Sequence, residues 1–317
     1  MIHPSAATPL SIGELPHIGP AIITLGVFDG AHLGHRAALE VTRAAAVAGR
    51  LASVALAFDP HPRDVLQPGT NVPRLAPIDV NIERLRQMAL VDAVVPVRFD
   101  VALSRLPALG FLDALGPAIE VRGVAMAPGS AFGHGRDGTP DALVAAGRRV
   151  VDVPPFLVDG EPVSSTRVRA AVEAGDVGLA HRLGAETYLR GRVVHGDQRG
   201  RELGFPTANL GFDYAPALPA LGIYLGHVAV PECGVGPAHP ALVSVGVRPT
   251  FHDDGRILVE VYLLDFDGDL YDATLALTLR VRLREERRFS SVDALIAQMR
   301  SDEIEARSVL GEEGLSG

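Results

Sequence analysis

Two histidines three residues apart, His32 and His35, stand in the string Gly26-Val27-Phe28-Asp29-Gly30-Ala31-His32-Leu33-Gly34-His35. An apolar run, Ala21 to Val27, leads into this string, and an alanine-rich stretch from about Arg36 to Ala48 follows it. On the first turn of a helix, this spacing aims both rings at one place. Their N–H groups can there stabilise charge developing on a transferring phosphoryl centre. The glycines let backbone N–H groups approach phosphate, and the positive end of the following helix points the same way. Gly26, Phe28, Asp29 and Gly30 are therefore candidate nucleotide-binding positions. A blander assignment has one histidine capping the helix and the other packing. Glycines, an acid and paired histidines directly after a buried strand argue against it.

Two further groups have the right chemistry. Val163-Ser164-Ser165-Thr166-Arg167-Val168-Arg169 places hydroxyls at a helix start and arginines on its first turn. Ser165, Thr166 and Arg169 are suited to ATP phosphates, whereas the serine and threonine alone would be ordinary caps. The second is the run Gly191 to Leu210 (GRVVHGDQRGRELGFPTANL), a glycine-punctuated loop with Arg199 and Arg201. Its Gly196, Gly200, Arg201, Gly204 and Pro206 are candidates for holding phosphate. The hard oxygens of Thr207 and Asn209 suit Mg2+ or phosphate. The loop lacks the GxxxxGK[ST] lysine and hydroxyl of a Walker A motif. Glu260 sits inside an apolar strand, where it is either a surface ion-pair residue or the proton acceptor for a hydroxyl attacking ATP.

The elements that must position these groups fall into two styles. From Ala21 to about Val153, continuously apolar runs (Ala21 to Val27, Ser53 to Phe58, Ala93 to Val97, Val124 to Ala127) alternate with helical stretches: Arg36 to Ala48 stopped by Gly49, Ile82 to Leu90, and Leu109 to Leu115. That is the pattern of a doubly wound parallel sheet, buried on both faces. Two short helices bridge the residues from Val163 to Gly184. After Leu189 come alternating strands and Gly/Pro turns: Arg190 to Gly196, Gly222 to Val230, Pro240 to Val247, Ile257 to Phe266 and Leu270 to Arg284. These predict a small antiparallel β-barrel, closed by a C-terminal helix with Val292, Leu295, Ile296 and Met299 at i, i+3, i+4, i+7. The fold class is α/β plus β, with domains over residues 1–185 and 186–317.

The first string resembles the HxGH nucleotidyltransferases, and GxFDGxHxGH is similar to their FAD synthetase branch. Asp59-Pro60-His61-Pro62 after Phe58 resembles that family's FDPHP segment, which implies flavin binding by these four residues, and the Ser165 region resembles its SSTxxR motif. The run from Gly191 to Asn209 resembles the riboflavin kinase signature GxVxxGxxxGRxLGFPTAN. Ser244 to Phe251, Val259 to Phe266, Asp267 to Tyr271 and Leu283 to Phe289 match at similar separations. The resemblance implies that Glu260 is the kinase base and that His32 and His35 are catalytic in adenylyl transfer. Arg284 to Arg288 form a solvated charge run by default, and the resemblance brings Arg288 near the flavin. Riboflavin plus ATP would give FMN, and FMN plus a second ATP would give FAD, with Mg2+ at both sites.

One departure falls in the first domain. Ala131 stands where the family carries a polar Asp or Asn, in Gly129-Ser130-Ala131-Phe132-Gly133-His134. Either Ser130 or His134 compensates, or adenylyl transfer is weakened. The alternatives are a chain that keeps only the kinase and a flavin-binding or sensing protein without turnover. A nucleotidyltransferase for another substrate would leave the PTAN segment unexplained.

Composition narrows the classes. The chain of 317 residues is 47% hydrophobic and 21% charged, a globular balance long enough for two domains. A net charge of −9 argues against a phosphate-backbone binder, so small-molecule substrates are expected and nucleic acid is not. The single Cys233 makes no internal disulfide and no CxxC zinc site, which fits a reducing, cytoplasmic setting. With no leader-like N-terminus and no apolar run of about 18 residues, no membrane partner is expected. Self-association is not legible in the pattern.

Overall fold

The computed structural model describes residues 8–196, 204–247 and 257–314. By internal contacts the chain forms two units: Met1–Val168 with Leu183–Ala185, and Arg169–Arg182 with Glu186–Gly317.

The first unit contains β1 (Gly19–Gly26), α1 (Leu33–Gly49), β2 (Ala52–Asp59), α2 (Pro62–Leu66), α3 (Ile78–Gln87), β3 (Ala93–Arg98), α4 (Val101–Ser104), α5 (Ala108–Leu115), β4 (Ile119–Met126), α6 (Pro140–Ala145) and β5 (Val150–Asp152), then a small hairpin of β6 (Leu157–Val158) and β7 (Glu161–Pro162). Its five-stranded sheet runs β3-β2-β1-β4-β5, with every pairing parallel. β2 shows why the strand sequences are continuously apolar. Val54 and Leu56 pack into one core with Ile23, Val95 and Phe111, whereas Ala55 and Ala57 face the opposite core with Leu39, Ile82 and Leu85. Burying a Leu-sized side chain fully is worth about 1.5–3 kcal/mol, so helices on both faces are needed to collect it. The strand order reverses direction between β1 and β4, and the crevice at their carboxyl ends is where such sheets receive ligands.

Several boundaries differ from the sequence pattern. β4 begins at Ile119, five residues before the apolar run; Glu120 and Arg122 interrupt the pattern, and a register shift opposite Ala21/Ile22 accommodates Arg122 as an extra residue. α1 runs through Gly49, and Arg50 takes the left-handed cap at φ 54° that the glycine was expected to supply. β5 has only three residues, too few to register as a strand.

The helix α7 (Ser165–Glu173) carries its first turn in the first unit and continues into the second. There follow α8 (Val177–Arg182), β8 (Thr187–Val194), β9 (Ala208–Gly211), β10 (Gly222–Val230), β11 (Val235–Val247), β12 (Ile257–Leu263), β13 (Thr274–Glu285) and α9 (Val292–Gly314). The strands close a barrel in the order β10-β11-β12-β9-β8-β13. β9, a four-residue strand that starts inside the PTAN segment and ends at Gly211, was not expected as a strand, yet it completes the circle between β12 and β8. Val193, Val243, Val245, Val259, Val261, Leu275 and Leu277 fill the interior, each alternating with an outward neighbour.

On α9 the packing stripe is shifted from the expected one. Val292 is 57% exposed, and the buried positions are Asp302 and Ala306, with Ala306 packed among Leu225, Leu242 and Leu264. Asp302 explains the shift and corrects the reading of Arg284 as solvated. Its carboxylate accepts from Arg284 Nε at 2.8 Å and Nη2 at 2.7 Å, and Gln298 donates to the same group at 2.8 Å. The two ion-pair side chains are 11% and 4% exposed. No helix among the described residues is long and apolar enough to cross a membrane.

Candidate active sites

In the first unit, β1 delivers the chain into a tight left-handed turn. Phe28, Gly30 and Ala31 have φ of 53°, 83° and 46°. A Cβ on Gly30 would come within 2.7 Å of the Leu75 side chain, so only glycine passes there. The Asp29 carboxylate, 1% exposed, faces away from the turn's mouth: Leu75 N donates to it at 3.0 Å and Ala76 N at 3.3 Å. Asp29 therefore shapes the loop through its side chain, and what it offers a nucleotide is backbone.

His32 occupies the N-cap position of α1, but its ring makes no capping bond. Instead Nε2 lies 3.2 Å from Ser165 Oγ, while that hydroxyl donates to the Asp29 carbonyl oxygen at 3.0 Å. A hydroxyl has one hydrogen to give, so His32 Nε2 must carry the proton and donate to Ser165. His35 stacks on His32 with ring centroids 3.7 Å apart and planes 18° apart, and meets the Phe28 ring edge-on at 5.1 Å. Burial first, and the neighbouring His32 second, hold the His35 pKa well below 6.5, so the ring is neutral near pH 7. Gly34 lets α1 start close to Val163, whose carbonyl oxygen a Cβ would approach to 2.7 Å. The structure thus brings Gly26, Phe28, Gly30, His32, His35 and Ser165 together at the carboxyl end of β1.

Other predicted residues divide. Thr166 is exposed on α7, and Arg169 follows Ser165 by one helical turn. Arg167, by contrast, is spent on the β6–β7 hairpin, donating to the carbonyls of Val158 and Glu161. At the end of β2, burial raises the Asp59 carboxyl against the pull of Arg74, which lies 3.8 Å away. Pro60 follows, and His61 caps α2 by accepting from Arg63 N at 3.1 Å, with Pro62 on the first turn. Near Ala131, Ser130 donates its hydroxyl to Ala127 O at 2.6 Å, and His134 Nδ1 donates to Ser104 O at 3.1 Å. Sequence reasoning missed Asn81, whose signal was a polar residue beside the buried Ile82 and Leu85 on α3.

In the barrel unit the decisive relationship is a register. Glu260 on β12 is paired directly with Asn209 on β9, and on its other side with Ser244 on β11. Val259 and Val261 point inward, so Glu260 lies half-buried on the outer face, and Asn209 lies there for the same reason between Ala208 and Leu210. Side chains directly opposite have Cβ atoms about 4.5–5.5 Å apart. Gly196 lies against Asn209; any Cβ there would collide with the amide. A cleft of about 530 Å3 is lined by Pro206, Thr207, Leu263, Phe266, Leu270 and Tyr271; Glu260, Asn209 and Gly196 do not line it. The His195 ring stacks on Tyr271 at 4.1 Å. Gly204 has a left-handed backbone at φ 86° just ahead of Pro206 and Thr207. Arg288 is exposed on the connection from β13 to α9. Gly200, Arg199 and Arg201, together with Arg248 to Phe251, lie outside the described residues.

With both constellations in place, the chain can be compared with known proteins. The FAD synthetase family matches residues 16–167 and the riboflavin kinase family residues 183–310. A bifunctional riboflavin kinase/FMN adenylyltransferase of Pseudomonas fluorescens is 38% identical over 299 residues, 91% of this chain and 92% of its own length. The chain belongs to the bifunctional riboflavin kinase/FMN adenylyltransferase family. Another member, from Escherichia coli strain K12, is 35% identical over 310 residues, covering 95% of this chain and 96% of that one. The family is one of transferases, and each of its two component families matches one of the two chemical constellations. A crystal structure described as a macrolide-efflux protein from Streptococcus pneumoniae shares the fold at a TM-score of 0.82 and 29% identity, over 94% of this chain and 98% of that one. Efflux is said of that protein alone.

Proposed function

We propose that the barrel unit phosphorylates riboflavin to FMN and that the α/β unit adenylylates FMN to FAD, each with its own ATP. The domains are read as residues 1–185 and 186–317. In the α/β unit a phosphate oxygen of FMN attacks the α-phosphorus of ATP, forming the new P–O bond as the bond to pyrophosphate breaks. The nucleophile is already an anion, so alignment and charge stabilisation suffice and no base is required. The N–H on His32 Nε2, neutral His35, the glycine turn with the N-terminus of α1, and Ser165, Thr166 and Arg169 on α7 supply the donors. Asp59, Pro60, His61 and Pro62 form the flavin side. The observation that carries this half is the stacked histidine pair, with its tautomer fixed by Ser165, at the carboxyl end of β1.

In the barrel the primary hydroxyl of riboflavin attacks the γ-phosphorus, Glu260 takes the hydroxyl proton, and ADP leaves. Gly196, Gly200, Arg201, Gly204 and Pro206 hold the nucleotide, and Arg288 covers the flavin. Thr207 and Asn209 offer hard oxygens next to the Glu260 carboxylate, a donor set that fits Mg2+. Magnesium, when bound, screens the phosphate charge. The cleft lies within a cytoplasmic enzyme that needs neither nucleic acid nor membrane, in keeping with its net charge of −9.

The kinase-only alternative draws support from Ser130 and His134. Both are committed to backbone carbonyls, so neither plainly replaces the polar group that Ala131 lacks. Incubating the purified chain with FMN, ATP and Mg2+, and separately with riboflavin, ATP and Mg2+, tests the two readings. FAD in the first mixture together with FMN in the second supports both activities, and FMN in the second without FAD in the first supports the kinase alone.

A further inference from the structure

Behind the phosphate-facing turn lies a second layer that none of the motifs contains. Asn81, 1% exposed on α3, spends its whole amide on this turn and the segment behind it. Its Oδ1 accepts from Gly30 N at 3.0 Å, and its Nδ2 donates to Ala76 O at 3.1 Å and reaches the Asp29 carboxylate at 3.4 Å. Asp29 in turn accepts from Leu75 N and Ala76 N, and its carbonyl oxygen receives the Ser165 hydroxyl that orients His32. An amide is the group that suits this place: it accepts from a backbone N–H and donates toward a carboxylate at the same time.

We propose that Asn81 is a positioning residue for adenylyl transfer, locking Gly30 and Asp29 in one register so that the His32–Ser165 pair is set before substrate arrives. This rests on the assignment of adenylyl transfer to the α/β unit. Asn81 touches no reacting atom. It acts through the turn, whose three left-handed residues, Phe28, Gly30 and Ala31, need outside support to hold that path. An alanine at 81 leaves the Gly30 N–H without its acceptor in a buried place and takes one donor from Asp29 Oδ1, which keeps Leu75 N and Ala76 N. An aspartate keeps the acceptor for Gly30 but sets a second carboxylate against the first.

The test uses the full-length chain with Asn81→Ala, Asn81→Asp and the exchange pair Asn81→Asp with Asp29→Asn, which restores a donor–acceptor couple. FAD formation from FMN and ATP is measured as kcat and KM, FMN formation from riboflavin serves as the internal control, and hydrogen exchange is followed in the peptide spanning Phe28 to His35. The expected result is a kcat for FAD formation at least about tenfold lower in both single variants. KM values stay within about threefold, kinase rates are unchanged, and exchange in that peptide is faster. The exchange pair recovers part of the kcat lost in Asn81→Asp. Unaltered kcat with unaltered exchange would overturn the proposal, as would equal loss of both activities, which marks general unfolding. If the unsubstituted chain makes no FAD at all, the assignment of the activity fails. Exchange then decides the positional claim by itself: faster exchange upholds Asn81 as the lock of the turn, and unchanged exchange removes it.

Discussion

Ser165 Oγ sits 3.2 Å from His32 Nε2, although 133 residues separate the two in sequence, and the same hydroxyl gives its hydrogen to the Asp29 carbonyl. The start of α7 is thereby tied to the turn after β1, and the tautomer of His32 is set by a neighbour rather than by substrate. Removing the hydroxyl should disorganise the donor more than it weakens the fold. Ser165→Ala is expected to lower FAD formation by about ten- to a hundredfold while costing only about 1 kcal/mol of stability, the usual net worth of such a hydrogen bond. Steady-state rates with FMN, read beside a denaturant melt, check both figures.

His35 makes stability depend on pH. Burial lowers its pKa in the folded chain, so below about pH 6.5 the unfolded chain binds the proton more readily. The contribution of the neutral ring is complete above that pH and is lost as pH falls toward the lower folded value. His35→Asn, which cannot titrate, should lose less Tm than the unsubstituted chain between about pH 7.5 and about pH 5. Thermal melts across that range provide the comparison; parallel curves would contradict a neutral buried His35.

The Arg284–Asp302 pair predicts a large stability effect outside either reaction centre. Cutting one partner leaves a buried charge without compensation, a loss of about 3–5 kcal/mol. Asp302→Ala should therefore lower the denaturation midpoint of the barrel unit far more than Asp293→Ala, a change to an exposed carboxylate on the same helix. Urea unfolding of the two variants makes the test.

Gly196 leaves the space that the Asn209 amide occupies. Gly196→Ala should displace that amide from its place beside Glu260 and reduce FMN formation at least about tenfold, with FAD formation from supplied FMN unaffected. Parallel assays of the two products measure this.

Much of this was legible in the residues. Continuously apolar runs marked β1, β2 and β3 because strands buried on both faces have no polar side to show, and β8 alternates over its whole length. The paired histidines and Glu260 could be picked out by type and spacing. What local pattern could not carry was partnership across the fold. Arg284 reads as one of a solvated run until Asp302, eighteen residues on, is brought beneath it by α9. β9 is too short to signal a strand, and only closure of the barrel between β8 and β12 reveals it. Asp29 looks like a phosphate-side acid in sequence, whereas the buried N–H groups of Leu75 and Ala76 claim its carboxylate. Asn81 carries no motif, since its importance lies in the turn it faces.

The central claim is that one chain holds two separate transferase sites, and reciprocal substitution tests it most directly. His32→Ala and Glu260→Gln would each be assayed for FMN formation from riboflavin and for FAD formation from supplied FMN, with ATP and Mg2+. His32→Ala should abolish FAD formation and leave FMN formation intact. Glu260→Gln should lower FMN formation by about 10²–10⁴, the usual contribution of a general base, and leave FAD formation intact. Equal loss of both activities in either folded variant would contradict the two-site account.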